Sequence, residues 1–232
     1  MAIARLTGTQ TFHGNDTATE REITVPAGTT CVVVAITGYH DVTLTSVNMD
    51  GTASFTIDVA PAPNASVNNV YLAHYINASL TTGSRTLNIN WSGEPSYVQY
   101  SVIYYSGVDT TTTTARDADS SSGDSPPSVT VTTVSGDVCV GVAAVDGNVT
   151  WTNATSFIEA TVTAVRHEVA DMTADGTSET IAITQNYGAD SLGVIVLRMG
   201  GESSSTPILK RRFNVLLRLC LSTFNLIWRC FK

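Results

Sequence analysis

Charge is what this 232-residue sequence has least of: Asp, Glu, Lys and Arg together make up 14% of it, and aromatic residues 7%. Positive charge is the scarcer sign. Residues 1–200 carry 19 acidic and 6 basic side chains, a balance of −13. Such a surface lacks the basic footprint that a phosphate backbone requires, so this part of the chain is expected to repel nucleic acid. Catalytic signatures are missing too. There is no GxSxG elbow, no P-loop, no GxGxxG and no HExxH, which removes the commonest routes to serine hydrolysis, nucleotide binding and zinc-dependent hydrolysis. The expectation is a protein that is not an enzyme and carries no cofactor.

Cysteine is sparse as well. Cys31, Cys139, Cys220 and Cys230 show no CxxC spacing and no nearby pair of histidines, so they read as reduced, buried or helix-packed thiols. The amino end, MAIARLTGTQTFHGNDT, has no apolar segment flanked by positive charge, which leads us to expect no secretory leader and folding in a cytoplasm. Sequons at Asn15, Asn64, Asn77, Asn90, Asn148 and Asn153 are what a chain rich in Thr, Ser and Asn produces by composition alone.

What the sequence does have is β-branched and small polar residues in alternation. TTCVVVAITG (29–38) is a continuous apolar run closed by a glycine, the pattern of a strand covered on both faces. SYVQYSVIYYSGV (96–108) places Val98, Tyr100, Val102 and Tyr104 on one face and Gln99 and Ser101 on the other. RTLNINWSG (85–93) turns Leu87, Ile89 and Trp91 inward and Asn88 and Asn90 outward. Further strands are expected over 128–134, 137–145, 157–167, 179–185 and 191–199. Turn clusters NMDG, TTGS, VDGN, ADGT and NYGAD lie between strands. Before residue 207 no stretch has helical periodicity. The fold class expected is all-β: an antiparallel β-sandwich, jelly-roll-like, over residues 1–200.

One reading makes that sandwich two pseudo-repeated halves. TTCVVVAITG echoes GDVCVGVAAVDG, aligning Cys31 with Cys139; LTTGSRTLNINW echoes ADGTSETIAIT; YSVIYYSG echoes LGVIVLRM. Residues 109–127, DTTTTTARDADSSSGDSPP, join the halves and are polar enough to be expected as a long surface crossover loop.

Few groupings suggest chemistry. His40 and Asp41 are adjacent but have no third ligand at a diagnostic spacing, so turn residues are expected there and no metal. The Asp and Asn of NMDG (48–51) and NYGAD (186–190) suit Ca²⁺ loops and equally suit ordinary turns. Trp91, Tyr97, Tyr100, Tyr104 and Tyr105 suit a sugar-stacking platform, but alternate strand positions make them core. Arg166, His167 and Glu168 read as a strand end with its own charge partner.

The carboxyl end differs. Residues 201–232 carry 6 basic and 1 acidic side chain. After Pro207 the apolar residues recur every three or four positions, predicting an amphipathic helix over 207–232. Phe213, Cys220 and Ile227 repeat every seven residues, as do Leu217, Phe224 and Phe231, and with Trp228 they form a seam suited to an assembly interface. Arg218 in mid-run makes the segment a poor membrane span, although contact with a membrane surface is compatible with it.

The stretch from REITVPAGTTCVVVAITGYHDVTLTSVNMDGTASF through VYLAHYINASLTTGSRTLNINWSG to YVQYSVIYYSGVD, resuming at SVTVTTVSGDVCVGVAA and closing at SETIAIT, resembles a β-sandwich domain of phage virion structural proteins that also occurs in bacterial surface proteins. Ser106-Gly107-Val108-Asp109 matches a motif of that family, except that Thr follows where Gln and Pro are usual. The resemblance spans about residues 20–199 and leaves out the tail. It implies a non-enzymatic virion structural protein (decoration, fiber or tail-associated) whose partners are sister copies or other virion proteins and whose location is the virion. The alternative is a carbohydrate- or receptor-binding adhesin module that meets a cell-surface glycan at a cell surface.

Overall fold

Alternation of Val, Ile, Thr and Tyr with small polar residues gives pleated strands throughout, and Gly or Asn-Asp clusters end them. The computed structural model describes residues 2–12, 20–38, 42–60, 68–95, 97–123, 126–162, 165–184 and 190–200. The first half holds β1 (Ala4–Arg5), β2 (Gln10–Phe12), β3 (Glu20–Val25), β4 (Cys31–Gly38), β5 (Leu44–Met49), β6 (Ala53–Ser54), β7 (Thr56–Val59), β8 (Asn69–Ile76), β9 (Gly83–Trp91) and β10 (Val98–Ser106). The second holds β11 (Ala118–Gly123), β12 (Ser128–Thr132), β13 (Val138–Val145), β14 (Thr150–Thr152), β15 (Thr155–Val162), β16 (Val165–Thr173), β17 (Ser178–Thr184) and β18 (Asp190–Leu197). The protein is all-β over these residues, with no helix among them and antiparallel sheets. Residues 2–199 form one unit. The helix expected over 207–232, with Phe213, Leu217, Cys220, Phe224, Ile227, Trp228 and Phe231, lies outside the described residues.

Four sheets form. In the first half the orders are β1-β10-β4-β8-β7, with β2 also on β10, and β3-β9-β5-β6. In the second they are β11-β18-β13-β16-β15 and β12-β17-β14. The central strands are ordered alike in the two halves, β10-β4-β8 and β18-β13-β16, with β9 between its neighbours as β17 is between its own; β2 and β6 have no counterpart in the second half.

Three cores stack these sheets. Val32, Val34, Ile36, Tyr100 and Tyr104 of the β10-β4-β8 sheet meet Ile23, Val47, Leu87 and Ile89 of the β3-β9-β5 sheet. Cys139, Ala143, Leu192 and Val194 meet Val129, Val131, Ile181 and Ile183 in the same way in the second half. Between the halves, Cys31, Val33, Ala35, Leu72 and Ile103 meet Val138, Val140, Val142, Val169 and Ile195. The two large sheets are therefore covered on both faces, which is why every residue of β4 and of β13 is buried. Backbones come close where glycine allows it. A Cβ on Gly193 would meet Val59 and Val70 at 3.0 and 3.3 Å, and one on Gly141 would meet Trp151 at 2.9 Å.

Two expectations are corrected. The single strand over 157–167 is instead parts of two, β15 and β16, which pair antiparallel with Val162 opposite Val165. The crossover 109–127 is not only a loop, for it carries β11 along the edge of β18 from Ala118↔Ile195 to Gly123↔Asp190. An edge strand needs backbone partners and no apolar side chains, so its polar composition did not prevent pairing.

Candidate functional site

The sequence-derived candidates divide into three groups. His40 and Asp41, residues 186–189 of NYGAD and the whole tail seam lie outside the described residues. The aromatic platform does not form: Tyr100, Tyr104 and Tyr105 are buried, Tyr97 is buried beside them, and Trp91 packs edge-on against Tyr71 at 5.6 Å. Burial raises the hydroxyl pKa of Tyr104 and Tyr105, and Asp171 adds to the rise at Tyr105. The third group is NMDG, which is a turn with positive φ at both Asp50 (53°) and Gly51 (69°). Both oxygens of Asp50 are occupied there. One accepts the Thr86 amide at 2.9 Å and the other accepts Arg85 at 2.7 Å. The carboxylate organises the turn while remaining part of the surface.

Cys31 and Cys139 are buried, as expected. Desolvation pushes the Cys139 thiol up to about 12, with the Glu179 and Asp137 charges adding to it, and raises Cys31 further. Neither is a nucleophile at neutral pH.

Arg166, His167 and Glu168 lie at the start of β16. Arg166 Nε sits 2.5 Å from the buried Glu168, which also accepts Trp151 Nε1 at 2.8 Å. Desolvation still raises the Glu168 pKa, with these two partners opposing it. His167 points the other way, into the seam between the halves. Its Nε2 is 2.8 Å from Ser101 Oγ and its Nδ1 is 3.0 Å from Thr37 Oγ1. Beside it Gln99 donates to Tyr97 Oη at 2.7 Å and to the Val165 carbonyl at 3.1 Å. Further along the seam Tyr105 donates to Asp171 at 3.1 Å, and Arg5 reaches the same carboxylate at 2.8 Å while lying 3.5 Å over the Phe157 ring. A serine against a histidine is the pairing of a nucleophile and its base. Here Ser101, Thr37 and His167 are all at 0% exposure, and a hydroxyl occupies the position where a triad places its orienting carboxylate. This seam joins the halves, and its serine, threonine and histidine are closed off from solvent.

The surface carries the remaining candidate. The outward face of the β3-β9-β5-β6 sheet forms an open groove of about 530 Å³ lined by Glu20, Asn48, Asp50, Thr86, Asn88 and Asn90. Register sets it up: Glu20 lies opposite Asn88, and Asn88 opposite Asn48, so one row crosses three strands. Asn88 donates to Asn48 Oδ1 at 3.2 Å, and Asn90 to Ser46 Oγ at 2.9 Å. A smaller recess of about 150 Å³, lined by Asp50, Tyr75, Asn77 and Arg85 among others, adjoins it. Of these residues the sequence marks Asn88 and Asn90 as outward. It does not join them to Glu20 or Asn48, which stand far off in the chain.

Among the described residues no group of three or more His, Cys, Asp or Glu side chains comes together to hold a metal ion. No helix among them is long and apolar enough to cross a membrane. Compared with known proteins, the chain matches no family model and no curated protein.

Proposed function

We propose that the protein is a non-enzymatic structural component of a phage-like virion, a jelly-roll-like sandwich used twice and displayed on the particle. The observation that carries this reading is the strand order. The path β1-β10-β4-β8, continued by β7 and with β2 also on β10, lies against β3-β9-β5-β6, an order that supports a jelly-roll reading, an architecture common in viral capsid and lectin domains. The path β11-β18-β13-β16-β15 against β12-β17-β14 has the same central order, without counterparts of β2 and β6. The outward faces support display in the medium, since Thr, Ser and Asn dominate them. Residues 207–232 are, on their sequence alone, the attachment segment, through the seam of Phe213, Leu217, Cys220, Phe224, Ile227, Trp228 and Phe231. Burying two or three such side chains gains about 1.5–3 kcal/mol each.

Immunogold labelling of particles released from the cells that make the protein tests the location: label on the particles is expected, and label confined to the cell envelope would refute the reading. Electron microscopy of the full chain beside a 1–206 truncation tests the attachment. The truncated protein is expected to stay folded and lose assembly, and assembly equal to that of the full chain would remove the tail from the account.

A further inference from the structure

The two halves provide an internal comparison, because register makes their outward faces superposable position by position. In the first half one row reads Glu20 opposite Asn88 opposite Asn48. In the second the corresponding row reads Ser128 opposite Ala182 opposite Thr152. The next row follows suit, with Asn90 and Ser46 against Thr184 and Thr150. The second half thus carries small hydroxyls and a methyl, enough for a solvated β-face. At the same framework positions the first half carries a carboxylate and three amides. The cross-strand bonds Asn88–Asn48 and Asn90–Ser46 use part of this polar inventory, and the rest faces the groove.

We infer that this row, Glu20–Asn88–Asn48, is a binding site for neutral, non-anionic glycans. The hydrogen-bonding inventory fits a polyol. With one Asn88 N–H given to Asn48, the Asn88 oxygen is left as an acceptor and the Asn48 NH₂ group as a donor pair, side by side in the groove. Among the described residues no protein group engages the Glu20 carboxylate, whose two oxygens accept a pair of neighbouring hydroxyls. Charge selects against anions. Glu20 and Glu22 stand on this face, while the Arg85 guanidinium is held by Asp50, so a sialylated or sulfated sugar meets net negative charge. A protein partner is disfavoured because the row offers no apolar or aromatic side chain to anchor a desolvated centre. Without an aromatic ring to stack on, one site binds weakly, and useful retention comes from many copies acting on a repeating polymer. The inference needs only this face to be exposed and does not depend on the virion reading.

The test is a glycan array of immobilised neutral hexose and N-acetylhexosamine oligosaccharides beside sialylated and sulfated ones, probed with the full chain. Retention on neutral glycans is expected, with Asn88→Ala and Asn48→Ala each lowering it about tenfold. Glu20→Gln, at an exposed strand end, removes the charge without changing shape. It is expected to lower retention and to relax the bias against anionic sugars. Thr152→Ala, the second-half counterpart of Asn48, is expected to leave retention unchanged, and thermal melts establish that each variant is folded. Absence of binding to every neutral glycan overturns the inference, as does equal binding of sialylated ones, or binding indifferent to folded Asn88, Asn48 and Glu20 variants. A shift in sedimentation of these variants with no loss of glycan binding would also overturn it, making the face a contact between copies.

Discussion

At the scale of single residues, several buried polar groups join the two halves. His167 comes from β16 and its two hydroxyl partners, Ser101 and Thr37, from β10 and β4, so one imidazole ties the second half to two strands of the first. Removing it takes the partner of the buried Thr37 hydroxyl and leaves Ser101 only Thr11, 3.1 Å away; an unsatisfied buried group costs about 1–3 kcal/mol. His167→Ala is therefore expected to lower the unfolding free energy by about 1–3 kcal/mol in urea denaturation. Combining His167→Leu with Ser101→Ala and Thr37→Val should recover much of the loss, because an apolar seam has no orphaned donor. Stability unchanged by His167→Ala would mean the network contributes nothing net.

At the scale of elements, the crossover shows how a polar segment is held in place. Arg116 pairs with the buried Asp137, which also accepts the Val134 amide at 2.9 Å and the Met199 amide at 2.9 Å. Asp117 accepts the Thr132 amide at 2.7 Å and the Ala118 amide at 2.9 Å, fastening β11 beside β12. The Thr132 amide is the larger cause of a pKa at Asp117 held below the ordinary 3.8. Asp109 is lowered likewise, first by the Thr111 hydroxyl and then by the Thr111 amide. A carboxyl with a lowered folded pKa contributes stability that is fully present above its ordinary value and is lost as pH falls through the folded one. Glu168 and Asp171, raised by desolvation, act in the opposite sense and lose their contribution as pH rises. Comparison with a variant separates the two. Thermal melts from about pH 6 down to about pH 3 are expected to show a shallower acid decline in Asp117→Asn than in the unaltered chain. Parallel declines would place the acid sensitivity elsewhere.

At the scale of the whole molecule, the question is whether the halves stand alone. Each has a core of its own between its two sheets, so neither is short of strands. The third core is shared: Cys31, Val33 and Leu72 face Val140, Val142 and Ile195, and neither half closes it. Expressed separately, 1–108 and 128–200 would each expose one apolar sheet face, a patch large enough to drive association. The expectation is aggregation or a broad melt for each alone, against one sharp transition for 1–200. A soluble half with a sharp melt of its own would show that the shared core is dispensable.

The sequence by itself determined the β class, the buried strands, the turn at NMDG and the echo between the halves. β4 and β13 were legible because a strand covered on both faces needs an unbroken apolar run, and the Asp50–Gly51 turn because few residues tolerate positive φ. Leu87 and Ile89 were read inward, and Asn88 and Asn90 outward, from a period of two. Only the tertiary structure decided what each face meets. Gln99 and Ser101 read as the polar side of a strand, yet they lie at 0% exposure against the second half. The fastening of β11 to β18, the break between β15 and β16, and the row that sets Glu20 beside Asn88 and Asn48 were likewise invisible in the chain. The physical reason is that side-chain alternation records how much of a strand is covered, a local property. Partner and register are chosen among strands tens of residues apart, by which pairing closes all three cores at once.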